Sequence, residues 1–503
     1  MPKNQTSDCS CQKNIEKIYL SPQKQIWTGQ KNNKARVESL VIDNQGKICF
    51  CGNIEECRVR FPRAFLEKAH TIEGSIVAGG VDSHNHFWYA LLQKIPSVAH
   101  IKNAKQLQIF IKEQTDLCTN EILFLRDADS THLFSSSLLN TISKPLVIFH
   151  RSYHKAYINL AASKLPQLTK IPSCDFINHW QIKNSVIHLL RSEMFTCEYI
   201  LNAFSSFAFS LLQQGIVCVH DLFVYDVNFV NALQKVPIKN YLYAPRYALQ
   251  NNKHMISHFV GVKSFMDGAI GTQTAKFYKN YNSSTSSGIF YITEKELLAD
   301  IDFAVEHNLQ TACHGIGTQG IATIIDTYEK RKNHIIKPRI EHFQCPQLQD
   351  INRLQNLNIA VCPQPNFSQD SYDYEQPLGK RAKTINPFRK LINNNVKFAT
   401  GSDGMPSGLR ECLLWSIMPR HEEQQMTLEE AVHYSTIASA DLISTQVGIV
   451  KGNDANFVYF AKPLDELYSY SSPRITSNWQ LLREELDELF PITAVYLCGQ
   501  NVG

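Results

Sequence analysis

The chain has 503 residues, of which 44% are hydrophobic and 19% charged, with a formal net charge of +4. That length is ample for a large core and for more than one domain. The weak positive charge comes without a basic stripe interleaved with aromatics, which argues against nucleic acid as a partner, and no run approaches the apolar length that spans a bilayer.

Residues 1–15 are polar, lack the apolar run of a secretory signal and read as disordered. The chain has 14 cysteines without framework spacing, and the closest pairs, Cys9/Cys11 and Cys49/Cys51, do not match a zinc knuckle. Free thiols in a reducing cytoplasm are the expectation. From residue 16 to 72, short β-rich runs (39–42 and 47–50) are punctuated by Asn44-Gln45-Gly46 and Cys51-Gly52-Asn53, which read as hairpin turns. The same texture returns at 448–452, 455–460 and 492–497. Residues 16–72 and 445–503 are therefore expected to join in one small composite β-sandwich domain.

Residues 73–444 carry apolar runs that suit buried parallel strands: 76–81, 216–221, 241–247, 262–267, 309–314, 338–342, 359–363 and 396–402. Helical patterns lie between several of them, such as Glu294–Glu306 and Gly320–Lys330. Alternation of this kind predicts an α/β fold, a (β/α)8 TIM barrel. The stretch from about 95 to 210 is too long for one loop of such a barrel, so it is expected to be an inserted lid subdomain covering the barrel mouth.

Barrel enzymes place their chemistry at the C-terminal ends of the strands. His84 and His86, two apart in an extended run, aim at one side, as a divalent metal requires. The later strands bring Lys263, His314, His342 and Asp403 to the same rim. Cys313 neighbours His314 but faces the other way, which makes it a core residue. Two solvated histidines at a strand end are the alternative for the first pair taken alone. The other four residues turn it into a coherent metal constellation.

These residues stand in motifs that resemble the amidohydrolase superfamily, and within it the YtcJ-like group that includes N-substituted formamide deformylases. The matching stretches are 78–86 (Ala-Gly-Gly-Val-Asp-Ser-His-Asn-His), 261–268 (Gly-Val-Lys-Ser-Phe-Met-Asp-Gly), 312–317 (Ala-Cys-His-Gly-Ile-Gly), Arg339-Ile340-Glu341-His342 and Gly401-Ser402-Asp403. Supporting matches are His154 with Asn159, Gln364-Pro365 and Thr427-Leu428-Glu429-Glu430-Ala431. The resemblance runs from about residue 18 to 460. The chain departs from the group at Gly271-Thr272-Gln273-Thr274-Ala275, at Thr318-Gln319, where Asp-Arg is usual, and at Ala455-Asn456-Phe457. The second departure reads as a missing ion pair beside the site, not a missing ligand, and it puts inherited substrate specificity in doubt.

The resemblance implies a metal-dependent hydrolase of carbon–nitrogen bonds other than peptide bonds, acting on a small amide or an N-acyl or N-formyl compound through a metal-bound hydroxide. It implies His84, His86, His314, His342 and Asp403 as ligands to one or two Zn²⁺, with Lys263 carboxylated on Nζ as a bridge. An ordinary lysine paired with Asp267 is the alternative. Asp403 would also serve as the catalytic base. His154, His220 and Asp267 are expected on the substrate side, although His154 reads equally as a surface histidine, and Glu341 is expected to orient the rim. An esterase or deaminase on the same metal, and a catalytically silent binding protein on the same barrel, are the rival readings. A homodimer is left open.

Overall fold

A computed structural model describes residues 14–128, 136–150, 156–166, 168, 195–421, 424–469 and 479–503. Its centre is a sheet of seven parallel strands: β1 (Gly80–Asn85), β2 (Ile216–Asp221), β3 (Lys239–Ala244), β4 (Phe259–Phe265), β5 (Gln310–Gly315), β6 (Arg339–His342) and β7 (Ala360–Cys362). Each pairs with its neighbour in chain order. All six residues of β2 and of β5 are buried, because helices cover the outer face and side chains fill the interior.

The eighth position is filled by backbone that forms no full ladder. Val361 and Gly401 donate to Lys397 O and Pro363 O, at 3.0 and 3.2 Å. On the other side, Ser83 donates to Thr400 O at 3.2 Å, and Asp403 to His84 O at 2.7 Å. Segment 397–403 thereby closes the barrel between β7 and β1.

The first expected strand, 76–81, is in fact two. Ser75–Ala78 runs antiparallel to Phe457–Phe460 in a six-stranded sheet outside the barrel, and β1 begins at Gly80. The switch falls at Gly79, where a Cβ would lie 2.6 Å from Val217 Cγ2. That outer sheet has the order Gln500–Asn501, Ile492–Leu497, Phe457–Phe460, Ser75–Ala78, Ile26–Trp27, Arg36–Val37, so both ends of the chain contribute to it. A four-stranded sheet lies beside it, in the order Ile48–Gly52, Ser39–Asp43, Ile15–Leu20, Ala69–Thr71. Asn44-Gln45-Gly46 is the expected hairpin turn, with Gly46 at φ +74°. Cys51-Gly52-Asn53 is not a turn: Asn53 Oδ1 accepts from Glu56 N at 2.7 Å and caps the helix Ile54–Arg60. Residues 448–452 form a turn, not a strand.

The helix Glu294–Glu306 is where its pattern placed it, opened by a capping box of Thr293 and Glu296. The helix Leu428–Tyr434 begins with a second such box, Thr427 and Glu430. Between β1 and the helix Cys197–Gln213, the described part of the insertion is a three-stranded sheet of Leu123–Ala128, Leu146–His150 and Ala156–Ile158. One face (Phe124, Val147, Phe149) shares a core with Phe87, Trp88 and Leu91, the residues that follow His86. The other face (Leu123, Leu125, Ile148) packs with Leu107 and Ile111 of the helix Ala104–Leu117. No helix among the described residues is long and apolar enough to cross a membrane.

Candidate metal centre

Four imidazoles meet at the C-terminal ends of the strands. His84 lies 5.1 Å from His86 and 4.7 Å from His342, ring centre to ring centre, and His342 lies 4.4 Å from His314. All four are buried. Asp403 joins them, its Oδ1 3.1 Å from His86 Nε2 and 3.7 Å from His84 Nε2. His84, His86 and Asp403 offer ligand atoms that all lie within 4.8 Å of one another.

Hydrogen bonds fix which nitrogen carries the proton in His84, His342 and His314. Glu341 is a carboxylate paired with Arg339, so it only accepts, and His84 Nδ1 donates to its Oε2 at 2.7 Å. His84 Nε2 is then the lone-pair nitrogen. Gln364 turns its amide N–H to Cys362 O and presents Oε1 to His342 Nδ1 at 2.8 Å. His314 Nε2 donates to Gly268 O at 3.1 Å, leaving the lone pair on Nδ1. Burial, aided by Lys263 and the neighbouring rings, holds His84 well below its ordinary pKa, so the ring is neutral. Neutral imidazoles with fixed tautomers are what a borderline metal such as zinc binds.

Lys263, on β4, is the buried cation of the site. Among the described residues its Nζ has no hydrogen-bond partner, and it lies 4.8 Å from the Phe265 ring. Burial pulls its pKa down to about 8, against the attraction of Glu341 and Asp403. Asp403 Oδ1 is likewise buried without a hydrogen bond among the described residues. Two such atoms at the focus of four histidines fit a centre built for metal.

The backbone is strained at two of these positions. Asp403 has φ +54° and His342 φ +68°, followed by Phe343 at +48°. Left-handed conformations at non-glycine residues cost of order 1–3 kcal/mol each and persist where surrounding structure enforces them. Here Asp403 N is held by His84 O, and Phe343 N by Gly315 O at 3.0 Å.

Two expected substrate-side residues take other places. Asp267 is fully buried and accepts the backbone N–H groups of Lys276, Ile316 and Gly317 at 2.8, 3.0 and 2.8 Å. It anchors the loops after β4 and β5, and burial raises its pKa to about 7 despite those bonds. Nor does it bond Lys263, whose Nζ has no hydrogen-bond partner among the described residues. His220 is fully buried in the barrel interior, its Nδ1 3.1 Å from Arg339 Nη1; an arginine only donates, so the proton sits on Nε2. His154 lies outside the described residues. Cys313 is core, as expected.

Arg339 and Asp82 support the site without having a role assigned from sequence. Arg339 is 1% exposed and donates to both oxygens of Glu341, to Ser83 O at 2.7 Å and toward Tyr243 Oη at 3.5 Å. Burial alone would lower its pKa, but the Glu341 carboxylate raises it, so it stays charged. Asp82 accepts from Ser402 N, Ser402 Oγ and His84 N at 2.9, 2.5 and 3.2 Å. A usable signal existed: Arg339 and Glu341 alternate on a short barrel strand that is buried throughout, so both point to one side and must find partners there.

The profile of the amidohydrolase family matches residues 73–476. The chain is 32% identical over 151 residues to the Arabidopsis thaliana protein LONG AFTER FAR-RED 3, covering 28% of this chain and 26% of that one. It is 27% identical over 252 residues to the candidate amidohydrolase YtcJ of Bacillus subtilis (strain 168), covering 45% and 47%. Those matches span about a quarter and about half of the two relatives' lengths. Among solved structures, an uncharacterized metal-dependent hydrolase from Pyrococcus horikoshii OT3 superposes with a TM-score of 0.71 at 20% identity, over 91% of this chain and 99% of that one. At that identity the likeness is one of fold.

Proposed function

The chain belongs to the amidohydrolase family, and on that premise we propose that it is a metal-dependent hydrolase of carbon–nitrogen bonds other than peptide bonds. Its substrate is a small amide or N-acyl compound, N-formyl compounds included. The observation that carries this reading is the convergence of four buried histidines, Asp403 and the Lys263 ammonium at one barrel rim. His84, His86, His314, His342 and Asp403 would hold one or two zinc ions. A bound zinc would supply Lewis acidity and lower the pKa of a coordinated water to about 7.

Lys263 supports a bridging role by its own chemistry. With a pKa of about 8, roughly a tenth of it is the free amine at pH 7. The free amine can attack CO₂, forming an N–C bond and releasing one proton to give a carbamate anion. Asp403, beside His84 and His86, is placed to take the proton of the attacking water and pass it to the leaving nitrogen. The rings of Tyr89, Phe265 and Phe367 lie 5.3, 5.7 and 5.9 Å from those of His86, His314 and His342, and they limit the water that reaches these atoms. The insertion is rooted on the residues that follow His86, which supports a role in setting substrate size.

Elemental analysis tests the reading. One to two equivalents of zinc per chain are expected, the second restored by bicarbonate after CO₂-free reconstitution. Less than a tenth of an equivalent, with no rebinding after zinc dialysis, rejects it. A panel of N-formyl and N-acyl amines against matched esters then separates amide from ester hydrolysis.

A further inference from the structure

Arg483 stands on the C-terminal helix Trp479–Leu489, away from the rim. Its guanidinium reaches three groups. Nε lies 3.0 Å from Glu411 Oε1, and Nη2 donates to Gln214 Oε1 at 3.0 Å and to the carbonyl oxygen of Ser407. Ser407 is buried, and its hydroxyl meets Asn85 Nδ2 at 2.8 Å and Ser402 Oγ at 3.0 Å. Asn85 and Ser402 both donate to Asp82 Oδ2, at 2.7 and 2.5 Å. Asp82 Oδ1 in turn accepts the backbone N–H of His84, while Asp403, next to Ser402, donates its N–H to His84 O. An unbroken path of bonds thus joins the C-terminal helix to two of the residues read as metal ligands.

The path ends on the turn that carries Asp403 in its left-handed conformation. Such a turn holds its geometry only if both of its ends are fixed. One end is fixed by Asp82 and His84. At the other, Arg483 grips Ser407, and Gly408 follows with φ +152°, where a Cβ would come 2.1 Å from Glu411 Oε2. The grip on Gln214 adds a tie to the base of the barrel, since Gly215 O accepts from Gly80 N at the start of β1. The same helix has a second attachment, Arg410, which bonds Asp487 Oδ1 at 2.6 Å and Phe490 O at 3.2 Å. Among the described residues it meets the Arg483 contacts only at Glu411 Oε1, 3.4 Å from its Nη2, and does not bond Ser407.

We propose that Arg483 is a positioning residue for the Asp403 turn, acting through Ser407 and the Asp82 cluster on the geometry of the metal centre. The proposal rests on the metal-site reading above. The two arginines make it testable, because both dock the helix and, among the described residues, Arg483 is the one whose guanidinium bonds Ser407. Arg483→Lys and Arg410→Lys are compared with the wild-type full chain for zinc affinity, by competition with a chromophoric chelator, and for the melting temperature of the metal-free protein. Arg483→Lys is expected to weaken zinc binding roughly tenfold or more. Arg410→Lys is expected to lower the melting temperature at least as far and leave zinc affinity within about twofold. Zinc affinity of Arg483→Lys within about twofold of wild type overturns the proposal, and so does an equal loss in both variants, which would make the effect one of helix docking. Should Arg483→Lys not fold, Ser407→Ala cuts the same path at its hydroxyl, leaves both helix attachments in place and is judged by the same threshold. A wild-type protein that binds no zinc rejects the metal reading itself, and this proposal with it; normal wild-type binding with an indifferent Arg483→Lys rejects this proposal alone.

Discussion

His84 and His342 stand 4.7 Å apart, ring centre to ring centre, yet they are held by opposite kinds of neighbour. Behind His84 runs a charged chain: Nδ1 to Glu341, Glu341 to Arg339, and Arg339 onward to Ser83 O and His220. Behind His342 and His314 the hydrogen-bond acceptors are neutral oxygens, Gln364 Oε1 and Gly268 O, beside the rings of Phe367 and Phe265. The Asp267 carboxylate stands 3.8 Å from His314 Nε2, beyond hydrogen-bond reach. A carboxylate on one imidazole nitrogen raises the basicity of the other more than an amide oxygen does. The difference teaches that the rim is electronically lopsided, with a strong donor side at β1 and a weaker one at β5 and β6. Two metals, if both bind, should bind unequally.

Asp403 sits on the strong side, and its replacement should give the largest effect. Asp403→Asn is nearly isosteric and should fold, while kcat falls by about 10²–10⁴-fold from loss of the base alone. The loss should appear in kcat and not in KM, since the proton transfer matters in the transition state. Steady-state kinetics on a zinc-replete variant checks it; a near-normal kcat would place the base elsewhere.

The lopsidedness is tested directly by changing one supporting residue on each side. Glu341→Gln should weaken the tighter zinc by about 10–100-fold. It also strips Arg339 of its buried counter-charge, which should cost about 3–5 kcal/mol in urea denaturation. Gln364→Ala removes two neutral hydrogen bonds, to His342 Nδ1 and to Cys362 O, each worth about 1 kcal/mol. Loss of the first should loosen the weaker zinc by roughly fivefold, and the two together should cost about 2 kcal/mol of stability, less than Glu341→Gln. Equal losses in the two variants would abolish the comparison.

The sequence disclosed this site unevenly, for reasons tied to distance along the chain. His84 and His86 were legible because a strand's period of two is local. His314, His342 and Asp403 were legible because each stands at the end of an apolar run, and Lys263 because it is a lone cation inside one; barrels gather such ends at one rim. The support of His84 was not legible in full: Glu341 lies 257 residues away, and nothing in either segment names the other. Asp267 looked substrate-facing because a carboxylate near a ligand invites that reading. Its three partners are backbone N–H groups of distant loops, which side-chain patterns do not report. The fold failed in one informative place. Residues 76–81 read as one apolar run, but the chain changes sheets within it, and a run buried throughout has no period to mark the switch.

The smallest effect comes from a histidine that belongs to neither side. His433, near the end of the helix Leu428–Tyr434, bonds through Nδ1 to Gly29 O at 2.8 Å. Burial pulls its pKa down to about 4, and Lys31 pushes the same way against that hydrogen bond. An unfolded histidine titrates near 6.5. Between those values the unfolded chain therefore binds a proton that the folded one refuses. The stability contributed by neutral His433 is intact above about pH 6.5 and is lost as the pH falls toward 4. His433→Gln keeps a side-chain donor for Gly29 O and removes the titration, so its melting temperature should fall less steeply from pH 6.5 to 4.5 than that of wild type. Zinc affinity at pH 7 should be the same in both, because the residue supports a joint between the barrel and the loop at Gly29 and no ligand. Parallel melting curves would assign the acid sensitivity to the rim histidines, and a change in zinc affinity would tie the rim to this joint.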